Sequence, residues 1–308
     1  MATERKGLLL KADPISAAFR DEVKKDLEAC SSRPKLVGIL ATSSAPSNNY
    51  AEFTRKQCEE LGFEFVLKKT GAALSSDLAA GEGVEEAIID ANEDDSVHGI
   101  MVYYPIFGVQ QDHYLQQVVS PLKDVEGLHF KFHYNLYHKY EPPPGTVKSI
   151  IPCTPLAIVK CLEFVGVYNT ILPYGDRAYG KTITVINRSE VVGRPLAALL
   201  ANDGARVLSV DIDSIHVPYF STLAQKYHPR HIVHPSNLTL EECLAISDVV
   251  VSAVPSPSYK VKTALLKDGC ICLNVASDKN FEKDVRDKAS LYIPAVGKVT
   301  ILMLLRNL

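Results

Sequence analysis

The residues with the clearest chemical content lie between Thr182 and Asp211. A β-branched run, Thr182-Ile183-Thr184-Val185-Ile186, ends in the polar turn Asn187-Arg188-Ser189-Glu190-Val191-Val192-Gly193-Arg194, which opens into the small-residue segment Pro195–Ala201. Strand, turn and helix in that order gather backbone amides and a helix N-terminus at one point, a setting that suits phosphate. A second strand, Ala205–Val210, ends on Asp211. An acid at the end of the second strand, about 20 residues past the loop, takes ribose hydroxyls and repels a 2′-phosphate. The pattern predicts a nucleotide cofactor, and NAD over NADP. The loop departs from the glycine-rich form, because Gly193 is its one glycine and Asn187 stands where a glycine would be usual. Arg188 and Ser189 offer donors to phosphate oxygens. Taken alone, Asp211 also fits a cap on the next segment.

Four other places carry candidate chemistry. Tyr50 follows Ser47-Asn48-Asn49 at a helix start. Its ring could stack on an aromatic ligand or hydrogen-bond to it, or simply pack beside an N-cap. Lys123-Asp124-Val125-Glu126-Gly127 brings carboxylates that suit a polar heterocycle or a charged surface turn. In Ile151-Pro152-Cys153-Thr154-Pro155 two prolines stiffen the backbone around a thiol. Cys153 reads as a nucleophile or as a packed thiol, and no neighbour in sequence would lower its pKa. Pro294–Thr300 either covers a ligand or caps the last helix. His228, His231 and His234 lack an acid or thiol at ligand spacing, so they read as part of a solvated insertion, and no metal is expected.

The elements that must position these residues alternate between strand and helix. Ile15–Cys30 reads as an amphipathic helix and Leu36–Ala41 as a strand. A Ser/Pro/Asn turn over Ser43–Asn49 precedes a helix from Tyr50 to Leu61. Phe63–Leu67 reads as a strand, Val84–Asn92 as a helix, and Gly99–Pro105 as a buried strand stopped by proline. Residues 124–150 have no clear period and read as a long functional loop. The pattern restarts after Pro155 with a helix over Leu156–Val165, then the nucleotide unit. Strands follow at Asp248–Ser252 and Cys270–Asn274, and an apolar helix at Val299–Leu308. Residues 212–245 are the least legible. Such alternation implies a mostly parallel sheet covered on both faces.

Bulk properties narrow the partners. The chain has 308 residues, 46% hydrophobic and 22% charged, with a formal net charge of −3. That is room for two ordinary domains, with nothing to attract nucleic acid or an anionic membrane. No apolar run reaches the roughly 20 residues that span a bilayer, and Met1–Lys6 does not lead into a secretory signal. Seven cysteines without a C-x-x-C pair fit reduced thiols in a cytoplasmic protein.

Six motifs stand in a fixed order: Ser-x-x-Tyr at Ser47–Tyr50, V-x-x-P at Val102–Pro105, K-D-V-x-G at Lys123–Gly127, P-C-T-P at Pro152–Pro155, R-S-x-x-V-G-x-P at Arg188–Pro195, and P-x-x-G-x-x-T at Pro294–Thr300. In this order they resemble the methylenetetrahydrofolate dehydrogenase/cyclohydrolase family, over nearly the whole chain. The likeness is to its fungal, cytosolic, NAD-dependent, dehydrogenase-only branch. The resemblance implies an α/β protein whose two domains flank a cleft. The N-terminal α/β folate domain would span residues 1–153, closed by the C-terminal helix 298–308, and the Rossmann-type NAD domain residues 154–297. It implies catalytic roles for Tyr50, Glu126 and Cys153. Tyr50, Tyr104, Glu126 and Pro294 would meet the folate. Arg188, Ser189, Val192, Gly193, Asp211, Ile212, Ala253, Val254, Pro255, Ala276 and Thr300 would line NAD. It also implies a tetrahydrofolate substrate, possible polyglutamylation of that substrate, a cytoplasmic homodimer, and a place in one-carbon metabolism feeding purine synthesis.

The departures from the family pattern bear on the reaction. Bifunctional members carry a lysine four residues after the tyrosine, about 400° around a helix and so on the same face. Here that position is Thr54, while Lys56 points elsewhere. The glutamine of V-Q-x-P is Tyr103, the second aspartate of K-D-V-D-G is Glu126, and Lys298 replaces a usual proline. Losing lysine and glutamine together predicts oxidation of 5,10-methylenetetrahydrofolate without the hydrolytic step. The competing readings are a bifunctional enzyme, a non-catalytic NAD-binding protein, and a generic NAD dehydrogenase for an amino or hydroxy acid.

Overall fold

A computed structural model describes residues 6–108, 110–138, 149–221 and 230–308. The chain divides into two compact units, Ala18–His133 with Ile301–Leu308, and Met1–Ala17 with Tyr134–Thr300. In chain order the first half runs β1 (Leu8–Leu9), α1 (Ala12–Glu28), β2 (Lys35–Leu40), α2 (Ala45–Leu61), β3 (Glu64–Lys69), α3 (Gly71–Leu74), α4 (Val84–Glu93), β4 (Gly99–Val102), α5 (Gln110–Val118) and α6 (Phe130–His138). The second half runs α7 (Cys153–Phe164), β5 (Thr182–Ile186), α8 (Gly193–Asn202), β6 (Arg206–Val210), β7 (Ile215–Ser221), β8 (Arg230–Ser236), α9 (Leu240–Ile246), β9 (Val249–Ser252), β10 (Ile271–Asn274), β11 (Leu291–Ile293) and α10 (Gly297–Asn307).

The first unit is built on a three-stranded parallel sheet in the order β3-β2-β4. The central strand β2 and its neighbour β4 are near-continuous apolar runs, and β4 is buried at every position, as a parallel sheet covered on both faces requires. Val84, Ala87, Ile88 and Ala91 recur at helical spacing on α4 and pack with Val37, Ile39, Ile100 and Val102 into one core. Helix α2 begins at Ala45, earlier than its apolar period suggests, because the Ser44 hydroxyl accepts the Ser47 amide at 3.2 Å and Pro46 sits at the helix start. Ser47, Asn48 and Asn49 are therefore helical, and Tyr50 stands a turn further in than the sequence predicts.

The second unit carries an eight-stranded sheet in the order β1-β11-β10-β9-β5-β6-β7-β8. Pairing is parallel from β1 to β6 and antiparallel from β6 through β8. The strands β5, β6, β9 and β10 fall where the sequence predicts them. The illegible stretch 212–245 holds the β7–β8 hairpin and α9, which starts with a capping box between Thr239 and Glu242. Part of the expected loop 124–150 is helix α6; residues 139–148 and His228 lie outside the described residues.

Candidate active site

In the three-stranded unit, several residues singled out by sequence converge at the C-terminal ends of β2 and β4. The Lys123–Gly127 segment is held by its own first two side chains. Lys123 Nζ donates to the carbonyls of Ala91, Asn92 and Asp94 at 2.8–3.0 Å, where α4 ends. The buried Asp124 carboxylate accepts the amides of Glu126, Gly127 and His129 at 2.8–3.1 Å. What these two residues fix is Glu126. Its carboxylate accepts the Val102 amide at 3.1 Å, and burial, opposed by that bond and joined by the Asp124 charge, pushes its pKa up to about 8.

Tyr103 and Tyr104 follow β4. The Asp112 carboxylate, buried, accepts the amides of Ile106, Phe107 and Gly108 at 2.9–3.3 Å and fixes the loop beyond them. Both tyrosine hydroxyls are buried without a hydrogen-bond partner. Burial and then, among the charges, Glu126 drive the Tyr104 pKa upward. The Tyr103 ring meets Tyr50 edge-on at 6.1 Å, and Tyr50 stacks on Phe53 at 6.3 Å. Gly38 makes room for this ring, since a Cβ there would lie 3.1 Å from Tyr103 and 2.9 Å from Phe65. Thr54 is fully buried below Tyr50, donating to the Tyr50 carbonyl at 2.9 Å. Its hydroxyl is near enough to depress the Tyr103 pKa against the larger effect of burial, although no well-formed hydrogen bond joins the two. Lys56 is exposed.

In the eight-stranded unit the expected cofactor residues gather at the C-terminal ends of β5, β6, β9 and β10. Asn187 turns the chain after β5 with φ +86°, the left-handed region that asparagine tolerates better than most residues. Its amide group donates to the Ala253 carbonyl at 2.6 Å and accepts the Ser189 amide at 3.0 Å, so it ties the loop to the end of β9. Gly193 starts α8 pressed against this turn: a Cβ would lie 1.9 Å from the Asn187 carbonyl oxygen. The Ser189 oxygen accepts the amides of Val192 and Gly193 at 3.3 and 3.4 Å. Asp211 follows β6, its carboxylate accepting the amide of Ile212, which is 95% exposed.

A buried pair of asparagines, which no motif in the sequence flags, organises the remaining loops. Asn280 accepts the Ser252 hydroxyl and the Val254 amide, both at 3.0 Å, and donates to the Val254 carbonyl at 2.9 Å. Asn274 accepts the Asn280 amide at 2.7 Å and donates to the carbonyls of Ala276, Asp278 and Pro294 at 2.8–3.4 Å. Both are fully buried. Together they fix Ala253–Pro255, Ala276 and Pro294 relative to one another. The signal was available only as two asparagines, one closing the apolar strand β10 and one six residues beyond it, and buried side-chain amides are rare without partners.

Cys153 is the buried first residue of α7, in the eight-stranded unit, and Thr300 spends its hydroxyl on the Val296 carbonyl of its own helix at 3.3 Å. Tyr50, Tyr104 and Glu126 share the other unit. Among the described residues no cluster of metal-ligating side chains occurs, and no helix is long and apolar enough to cross a membrane.

Comparison with known proteins agrees with the motif order. Residues 10–126 match the model described as tetrahydrofolate dehydrogenase/cyclohydrolase, catalytic domain, and residues 152–226 the one described as its NAD(P)-binding domain. The chain is 48% identical to methylenetetrahydrofolate dehydrogenase [NAD(+)] of Schizosaccharomyces pombe, over 96% of this chain and 90% of that protein. The solved structure of the NAD-dependent 5,10-methylenetetrahydrofolate dehydrogenase of Saccharomyces cerevisiae superposes with a TM-score of 0.91 at 46% identity, covering 98% of this chain and 96% of that one. The bifunctional protein FolD of Acidovorax ebreus is 29% identical, over 97% of this chain and 96% of that protein.

Proposed function

This chain belongs to the tetrahydrofolate dehydrogenase/cyclohydrolase family, and from that premise we propose that it oxidises 5,10-methylenetetrahydrofolate to 5,10-methenyltetrahydrofolate with NAD, and does not hydrolyse the product. The observation that carries the second half is the pairing of Thr54 with Tyr103. Position 54 has no exposed surface, and the Tyr103 ring packs edge-on against Tyr50. An ammonium placed there would be buried against an aromatic wall with no assigned partner, a costly arrangement.

The residues present fit a dinucleotide. Gly193 brings the start of α8 against the loop, and Asp211 stands at the end of β6 where a ribose hydroxyl would be received. NAD, when bound, supplies the hydride acceptor. Ser189, Val192 and Gly193 border its phosphates, Asp211 and Ile212 its ribose, and Ala253, Val254, Pro255, Ala276 and Thr300 the rest. In the folate the methylene carbon loses a hydride and the flanking nitrogens share the positive charge that results. This step calls for positioning and charge stabilisation rather than for a strong base, so it survives without the lysine.

Tyr50 and Tyr104 hold the pterin side. Glu126 receives its donors and, as a carboxylate, favours the cationic product. The reading extends to polyglutamylated substrate, a homodimer, a cytoplasmic location and one-carbon supply for purine synthesis.

A steady-state assay with 5,10-methylenetetrahydrofolate and either NAD or NADP, reading reduced cofactor and methenyl product separately, tests this directly. Turnover with NAD, and methenyl product that decays no faster than in buffer, is the expected result. Accelerated decay would make the enzyme bifunctional. Absence of turnover with both cofactors would leave a binding protein.

A further inference from the structure

Arg188 sits in the loop where a phosphate would be expected, yet its guanidinium points along the sheet to the neighbouring strand. Nε donates to the Ser209 hydroxyl at 3.2 Å, Nη2 to the carbonyls of Ser209 at 2.7 Å and Ser214 at 2.9 Å, and Nη1 to the Ser214 hydroxyl at 2.9 Å. Four of the five guanidinium donors are thereby spent. Ser209 and Ser214 bracket the tight β6–β7 hairpin. The register pairs Ser209 with His216 and Val210 with Ile215, and the Asp211 amide donates to the Ser214 carbonyl at 2.9 Å. That same carbonyl is the one Arg188 grips. The loop between them is Ile212-Asp213, and Asp211 is its first flanking residue. Asp211 makes no ion pair with Arg188, although its charge acts on the guanidinium; one carboxylate oxygen takes the Ile212 amide, which leaves the other for a ligand.

We propose that Arg188 is a positioning residue for cofactor choice. By clamping both ends of the hairpin it fixes the Asp211 carboxylate at the ribose position. Committed to serines, it is also withdrawn from the role of fork for a 2′-phosphate. Selection of NAD then depends on two residues, one that repels the phosphate and one that has no donors left to welcome it. This rests on the dehydrogenase reading above only in naming Asp211 as the ribose residue.

The test is binding of NAD and of NADP by calorimetry to the wild type, Arg188→Gln and Ser214→Ala, with Asp211→Ser as reference. Breaking hydrogen bonds to a charged group predicts that Arg188→Gln loses about tenfold in NAD affinity while NADP changes by less than about twofold, so that discrimination falls toward that of Asp211→Ser. Ser214→Ala, which leaves the arginine and the fold in place, moves the ratio the same way by about threefold. Equal losses for both cofactors would mean that Arg188 binds the phosphates they share, and would overturn the proposal; so would an unchanged ratio in both variants. Folate turnover, measured alongside, reports on the dehydrogenase reading independently.

Discussion

Around Asn280 each side-chain polar atom of Asn274 and Asn280 has its partner, whereas around Tyr104 the hydroxyls of Tyr103 and Tyr104 are buried with none and the Glu126 carboxyl is held near pKa 8 by burial. The same chemistry, buried polar groups at strand ends, is treated in two ways. The cofactor loops are wired to one another before any ligand arrives, which reduces the ordering cost of binding. On the folate side the hydroxyls of Tyr103 and Tyr104 have no partner within the protein, so water or a ligand with matching groups must supply it. A fold can therefore preorganise one ligand site by internal satisfaction and make the other selective by leaving its polar groups dependent on the ligand.

That contrast predicts how substitutions divide. Asn280→Leu removes the partner of the Ser252 hydroxyl and of both Val254 backbone groups at a fully buried position, and about 3 kcal/mol of stability should go with it. Urea denaturation measures this, and NAD affinity should fall in parallel. A stable variant with weakened NAD binding would show that the network serves the ligand rather than the fold.

Glu126→Gln should act through pH. If the carboxylate is the working form, kcat/KM of the parent enzyme rises with pH through about 8, and the variant loses that limb together with roughly tenfold in kcat/KM on the alkaline side. Stability moves oppositely. The folded pKa is raised above the ordinary glutamate value, so the native state holds the proton longer and loses stability as pH rises from about 4.5 to about 8. Thermal melts of the glutamine variant should lack that decline. A pH profile identical to the parent would remove Glu126 from the reaction.

Tyr104→Phe is the sharper probe of the comparison. The hydroxyl has no protein partner, so its loss should change stability by less than about 0.5 kcal/mol while raising KM for the folate several-fold. Destabilisation with an unchanged KM would mean that the hydroxyl serves the core. The smallest effect on activity is expected from Thr54→Lys: the buried ammonium should cost stability, but hydrolysis of the methenyl product should stay at the buffer rate, because Tyr103 still packs beside that position. Strong hydrolysis in the single variant would contradict the role given to Tyr103.

The strands of the nucleotide unit were legible because buried parallel strands are written as local apolar runs, and the motif order in Ser47–Tyr50, Lys123–Gly127 and Arg188–Pro195 was legible because each motif is contiguous. Within Lys123–Gly127, however, only the structure separates Lys123 and Asp124, which hold the backbone, from Glu126, which the backbone is held for. The β7–β8 hairpin escaped because His, Pro and Tyr interrupt its period, and its register is decided by pairing to β6.

The order of β2 to β6, β9 and β10, the acid at the end of β6 and the exchange of lysine and glutamine for Thr54 and Tyr103 were determined by the sequence alone, since each is a matter of residue type at short spacing. The tertiary structure decided what those residues are committed to. Arg188 reaches Ser214 across 26 positions and Ser252 meets Asn280 across 28. Such bonds depend on which strand ends the parallel sheet brings side by side, and chain spacing carries no record of that.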